Sequence, residues 1–192
     1  MRGYFPVLLD ACVLIPMPLA DTLLRLASAP RLYHAKWTDQ IMAEVSRNLQ
    51  EKFGLSEERA QYRESEIRRH FPEAWVDGYE DLIPVMTNQE KDHHVLAAAV
   101  RARSEVIVTY NTKDFQRDSL APYSVVAQGP TTFLKNLYEL DPAAVVGALT
   151  RQASAIDETL PQLLTRLRLN VPGFVAMLEE ALSKPGGGET DE

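Results

Sequence analysis

Apolar positions fall into two kinds of run along this chain. Pro6-Val-Leu-Leu-Asp10 is short, uninterrupted and closed by an acid, and Glu105-Val-Ile-Val-Thr-Tyr-Asn111 is β-branched and bounded by polar residues. Consecutive apolar positions of this length predict strands buried on both faces, the pattern of a parallel sheet. Weaker strand patterns over 32–35, 82–85 and 124–127 bring the expected sheet to about five short strands. Between them, apolar spacing of three and four predicts amphipathic helices over 19–27, 38–52, 56–71 and 91–102. Strands alternating with helices predict an α/β three-layer sandwich around a central, mostly parallel sheet with right-handed crossovers.

The pattern changes after about residue 130. Helical periodicity then runs over 131–140, 143–157, 160–167 and 171–182 with no strand pattern between, and Asp141-Pro142 reads as an N-cap followed by proline at the first helical position. Stripes such as Val145, Leu149 and Ile156, or Leu160, Leu163, Leu164 and Leu167, need a surface to bury against. The expected organisation is an α/β domain over 1–132, an all-helical C-terminal extension over 133–183 packed on it, and a polar, Gly-rich tail over 184–192 expected to be disordered.

A length of 192 residues with 45% hydrophobic and 24% charged residues fits one globular domain carrying an appendage. Cys12 is the sole cysteine, which excludes an intrachain disulfide and a cysteine-ligated zinc or iron–sulfur centre. The uncharged stretch 11–20 is broken by Pro16 and Pro18 and is too short to span a bilayer, so a cytoplasmic protein with no membrane association is expected. The net charge of −7 first argues against a nucleic-acid partner. Residues 1–132, however, hold 15 Lys+Arg against 18 Asp+Glu, and four of those acids are candidates for one shared pocket. Without those four, this part carries +1 and does not repel phosphate.

Those four acids are Asp10, Glu44, Asp92 and Asp114. Asp10 and the segment Thr109-Tyr-Asn111-Thr-Lys-Asp114 follow the two strong strands, and the carboxyl ends of parallel strands are where ligands bind. Asp92 begins a helix whose inward stripe continues through Val95, Leu96 and Ala99. Glu44 sits beside the inward face of the helix that Thr38 would cap, next to Ile41, Val45 and Asn48. Each acid alone has a bland explanation as a turn, a cap or a solvated side chain. Together, with no Lys or Arg to compensate them, they raise one another's pKa, and a divalent cation resolves that conflict. All-oxygen ligation selects a hard ion, Mg²⁺ or Mn²⁺, the setting of metal-assisted phosphodiester hydrolysis.

The segments Val7-Leu-Leu-Asp10-Ala-Cys-Val-Leu, Ala43-Glu44-Val, Asp92-His-His-Val-Leu-Ala-Ala-Ala and Val108-Thr-Tyr-Asn-Thr-Lys-Asp-Phe115 resemble, in order, the four acidic motifs of the PIN domain family. The resemblance covers about residues 4–132, and the chain is particularly similar to VapC-type ribonuclease toxins of prokaryotic toxin–antitoxin pairs, in the branch with a helical C-terminal extension. It implies a PIN-like fold and an endoribonuclease using Mg²⁺ or Mn²⁺, with Asp10, Glu44 and Asp92 as metal ligands, Asp114 as the fourth acid, RNA as substrate and a cognate antitoxin as partner; a homodimer is left open. Asn111 stands where many relatives carry another acid.

Supporting positions are Asn111, Thr109, Lys113 and Arg47, the two cations as phosphate contacts; Lys36 and Lys91 also flank the acids. His93 and His94 point about 100° apart on a helix, so at most one faces the pocket, and both are expected to face solvent. Cys12 is expected to be a small buried apolar residue. Two other functions compete. A haloacid-dehalogenase-like phosphatase also starts with a strand-end Asp but needs a second acid two residues on, where Cys12 stands. A catalytically silent PIN-fold interaction module would keep the fold without the reaction, and the presence of all four acids argues against it.

Overall fold

The computed structural model describes residues 5–29 and 31–183. In chain order its elements are β1 (Pro6–Leu9), α1 (Ala11–Leu14), α2 (Met17–Ser28), β2 (His34–Lys36), α3 (Asp39–Phe53), α4 (Glu57–His70), α5 (His93–Arg101), β3 (Val106–Val108), α6 (Arg117–Leu120), β4 (Val126–Gln128), α7 (Pro130–Leu140), α8 (Pro142–Ser154), α9 (Leu160–Leu167) and α10 (Pro172–Ser183). The strands form one sheet in the order β2-β1-β3-β4, every pair parallel, with Leu8 opposite Lys36 on one side and Ile107 on the other. Every residue of β1 and β3 is buried, as strands covered by helices on both faces must be. The result is the α/β sandwich expected of a PIN-like fold, with four strands where five were expected.

The missing strand has a physical reason. Residues 82–85 lie in the 3₁₀ helix Glu80–Val85, and Pro84 has no N–H to give a ladder. The edge of β2 is instead extended by a single parallel bridge between Trp37 and Trp75, in which Trp37 N–H donates to Ala74 O at 3.0 Å and Val76 N–H to Trp37 O at 2.9 Å. Around it Trp37 stacks edge-on with Phe71 and Trp75, and the Arg68 guanidinium lies 3.5 Å over the Trp75 ring.

Helix boundaries follow capping chemistry. Thr38 caps α3 by accepting from Ile41 N–H at 3.1 Å, and Gly54, at φ 65°, ends it in the left-handed conformation that needs no Cβ. Asp141 caps α8 by accepting from Ala144 N–H at 2.8 Å.

The helices after β4 pack as a cover on the sandwich. Helix α7 runs through the 132/133 boundary expected from sequence, and Phe133 meets Tyr33 edge to face at 5.1 Å. Helices α8 and α9 lie against α2. At that contact the buried Gln152 side chain accepts from the Thr22 hydroxyl at 2.7 Å and donates to Pro18 O at 2.9 Å. Val145, Leu149, Leu163, Leu164 and Leu167 are buried as the stripes predict, whereas Ile156 is exposed because α8 ends at Ser154 before reaching it. The tail expected over 184–192 lies outside the described residues.

Candidate active site

Asp10 leaves the carboxyl end of β1 in the centre of the sheet, where its N–H donates to Val108 O at 3.1 Å. Its carboxylate is buried but well supplied with donors. Oδ1 accepts from Ala11 N–H at 2.7 Å, so Asp10 caps α1, and Oδ2 accepts from the Thr109 hydroxyl at 2.7 Å and the Cys12 thiol at 3.2 Å. Thr109 is wholly buried just past β3, and its hydroxyl also accepts from Asn111 N–H at 3.0 Å. Thr109 therefore supports Asp10 from within. Cys12 is half-buried and hydrogen-bonded rather than a plain apolar residue, because its thiol donates to the carboxylate of Asp10 two residues earlier.

Asp92 occupies the N-cap position of α5 but makes no capping bond. It closes the 3₁₀ turn Glu90–Asp92, and Asn88 holds that turn by donating to Asp92 O at 3.0 Å. One oxygen, Oδ2, is buried with no hydrogen-bond partner. Burial pushes this carboxyl above the ordinary aspartate range; Lys91 opposes the shift, and the charges of Asp10 and Asp114 add to it. Glu44, half-buried on α3, is likewise raised, first by burial and then by Asp10, with Asp92 contributing and Arg47 and Lys52 opposing. The acids thus lie near enough to act on one another, although no group of three or more His, Cys, Asp or Glu among the described residues stands arranged to hold a metal ion.

The expectation that no cation compensates these acids does not hold. Lys91 Nζ lies 2.7 Å from Asp114 Oδ2 and 3.6 Å from Asp92 Oδ2, and its hydrogen bond holds Asp114 below the ordinary carboxylate range. Asp114 sits in the 3₁₀ turn Thr112–Asp114, whose first N-terminal neighbour is Asn111, and its carbonyl accepts from Gln89 N–H at 3.1 Å. The Asp92 and Asp114 turns are therefore tied together. The lysine was hard to place from sequence because the 3₁₀ turn, rather than a continuous α5, directs it.

The other candidates separate. Asn111 is half-buried at the site, while Arg47 and Lys113 are exposed and act on Glu44 and Asp114 only through their charge. Lys36 is engaged elsewhere, donating to Glu73 O at 2.6 Å. The histidines do not face solvent as expected. His94 is buried on the inner face of α5, where burial lowers its pKa, and His93 is half-buried with Nε2 2.9 Å from Asn88 O.

The chemistry of these donors, though not an assembled ligand shell, is of the kind a hard divalent ion takes. The set is all oxygen, it contains a buried carboxylate oxygen that accepts no hydrogen bond and has only the Lys91 ammonium 3.6 Å away, and two of its acids are raised by burial and mutual repulsion.

Comparison with known proteins gives an independent view. The chain is 45% identical over 106 residues to a Mycobacterium tuberculosis protein named "Putative ribonuclease VapC50". The match takes in 54% of this chain and 63% of that relative, so the chain spans a little under two thirds of the relative's length. No family model matches the chain, and no solved structure matches it. Over those 106 residues the chain is similar to that relative, and its all-parallel sheet flanked by helices is consistent with a PIN-like α/β fold.

Proposed function

We propose that the protein is a Mg²⁺- or Mn²⁺-dependent endoribonuclease, acting as the toxin of a toxin–antitoxin pair. What supports this reading is that Asp10, at the carboxyl end of the central strand, acts by its charge on Glu44 and Asp92, and Asp114 on Asp92, with burial raising Glu44 and Asp92 above the ordinary carboxylate range. A protein that only folds has no use for this repulsion. The ribonuclease name of the 45%-identical relative supports the choice of reaction.

Asp10, Glu44 and Asp92 would hold the metal, with Asp114 as fourth acid. When bound, Mg²⁺ or Mn²⁺ would supply Lewis acidity toward a phosphodiester and a more acidic water. The chain's own residues do the rest. Thr109 and Cys12 fix Asp10 Oδ2, leaving the carboxylate no freedom to turn away. Lys91 is a largely exposed ammonium poised between Asp92 and Asp114 and able to meet a substrate phosphate, with Arg47 and Lys113 as further cations along the approach.

Restraint in the cell would come from an antitoxin segment placing Arg or Lys among the acids. An apolar groove of about 560 Å³, with Met17, Phe53 and Tyr62 each more than half exposed, offers such a segment a surface to fold against. No helix among the described residues is long and apolar enough to cross a membrane.

The deciding experiment is cleavage of a labelled single-stranded RNA with Mn²⁺ or Mg²⁺, beside an EDTA arm and Asp10→Asn. The reading expects cleavage only in the metal-containing wild-type arm; undiminished cleavage in excess EDTA overturns it.

A further inference from the structure

The helical extension reaches the acid pocket through Tyr110. This residue lies directly between Thr109, which holds the Asp10 carboxylate, and Asn111 at the start of the Asp114 turn. Its phenol donates to Asn170 O at 3.1 Å, a contact that spans 60 residues of sequence and joins the post-β3 loop to the turn between α9 and α10. The acceptor is firmly placed. Asn170 N–H and Val171 N–H both donate to Leu167 O at 2.9 Å, and Leu167, Val171 and Phe174 are wholly buried around the turn. At its other end Tyr110 is tied to the pocket, since its backbone N–H donates to Cys12 Sγ at 3.3 Å. That sulfur lies 3.2 Å from Asp10 Oδ2 and 3.4 Å from Thr109 Oγ1.

Two hydrogen bonds therefore grip Tyr110, one from the extension and one from the network around Asp10. The ring is 42% exposed, too open for packing alone to fix it, so the phenol bond is what locates the side chain. Burial of the hydroxyl end pushes the phenol up to about 12, which leaves it a donor at neutral pH.

We propose that Tyr110 is a positioning residue through which the helical extension holds Thr109 and Cys12 on the Asp10 carboxylate. The extension is then a built-in strut of the pocket as well as a cover for apolar surface. The consequence for metal and RNA rests on the reading of this pocket given above; the mechanical link does not.

The test compares the full chain with Tyr110→Phe, which deletes one oxygen and keeps the ring. Four quantities are read: thermal midpoint, exchange of the Tyr110-position and Asn111 amide hydrogens, Mn²⁺ affinity by proton relaxation of water, and the kinetics of RNA cleavage. These amides donate to Cys12 Sγ and Thr109 Oγ1, so they report directly on the network. The proposal expects a midpoint shift of no more than about 2 °C, exchange at the two amides about tenfold faster, and Mn²⁺ binding roughly three- to tenfold weaker. In the cleavage assay kcat falls with KM for RNA unchanged, because the phosphate-contacting cations are untouched. Exchange that is unchanged at positions 110 and 111, or faster only within 160–183, overturns it, since the bond would then serve the extension alone. If wild type binds no Mn²⁺ and cleaves no RNA, the functional reading fails, while the amide exchange still decides the role of Tyr110.

Discussion

The sandwich and its helical extension are built on opposite terms. Up to β4 the chain buries Asp10, Thr38, Asn88, His94, Ser104, Thr109, Asp114 and Ser119, several with unpartnered atoms. Among the described residues of α7–α10 the one buried polar side chain is Gln152, and both ends of its amide are satisfied by α2. The rest of that core is apolar, with Val145, Leu149, Leu163, Leu167, Phe174 and Leu178 wholly buried. Burial in the extension is therefore almost wholly apolar, the exception being Glu158 Oε2 between α8 and α9, which has no hydrogen bond, while the sandwich tolerates a penalty at Asp92 and Glu44. Local rules are broken more often in the sandwich that carries the candidate pocket than in the extension that covers it.

The sharpest way to break that contrast is to exchange the two kinds of defect. Asp10→Asn and Asp92→Asn should fold and lose roughly 100-fold or more of metal-dependent cleavage. Wild-type turnover by both at saturating Mn²⁺ would mean that the pocket is wrongly assigned. In the extension, Leu149→Ala should lower stability by about 2–5 kcal/mol through transfer and cavity terms, seen in chemical denaturation, with cleavage per folded molecule retained. Deleting residues 141–183, just after α7 rather than through it, should expose the apolar face of α2 and cause aggregation. A soluble truncated protein of unchanged midpoint would show that the extension is not a packed cover.

How far each region was legible in the sequence follows the same divide. Helices announce themselves by periodicity summed over several turns: α9 runs from Leu160 to Leu167 as the spacing predicts, and the Thr38 and Asp141 caps stand where the side chains call for them. Strands of three residues carry little periodic information, so β2 and β4 are shifted by one or two residues, and the apolar run around Pro84 reads as a strand although its missing N–H argued against one. Asp10 and Asp92 were visible because an acid at a strand end or on an inward stripe is anomalous. Lys91 and Cys12 were not, because their roles depend on how a single 3₁₀ turn and a single helical turn direct a side chain. The Tyr110–Asn170 link depends on tertiary packing across 60 residues, which no local pattern contains.

Lys91 permits a finer test of the pocket's charge. Its ammonium sits on Asp114 and beside Asp92, where a dication would compete with it. Lys91→Met should therefore tighten Mn²⁺ binding roughly two- to tenfold in a calorimetric or relaxation titration, the scale of removing one like charge a few ångströms away in a solvated site. Weaker binding would show instead that the lysine holds the two acid-bearing turns in register.

The smallest expected effect is one of stability, and its sign separates two neighbouring acids. Asp92 has a folded pKa raised by burial, so the native state binds its proton more tightly than the unfolded chain does. At neutral pH its charge works against the fold, and that penalty is relieved as pH falls through the raised value. Asp114 has a folded pKa lowered by Lys91, so its contribution is present above the unfolded value and lost as pH falls through the folded one. In EDTA at pH 7, Asp92→Asn should accordingly raise the thermal midpoint by a few degrees at most, with the gain shrinking toward pH 4. Asp114→Asn should lower the midpoint at pH 7, and its deficit should shrink only in more acid solution, as pH falls below the ordinary aspartate value toward the lowered one. Saturating Mn²⁺ should reverse the order for Asp92, because wild type then gains binding free energy that the variant has largely lost. A midpoint for Asp92→Asn below that of wild type in EDTA at pH 7 would show that the Asp92 charge is already compensated in the metal-free fold.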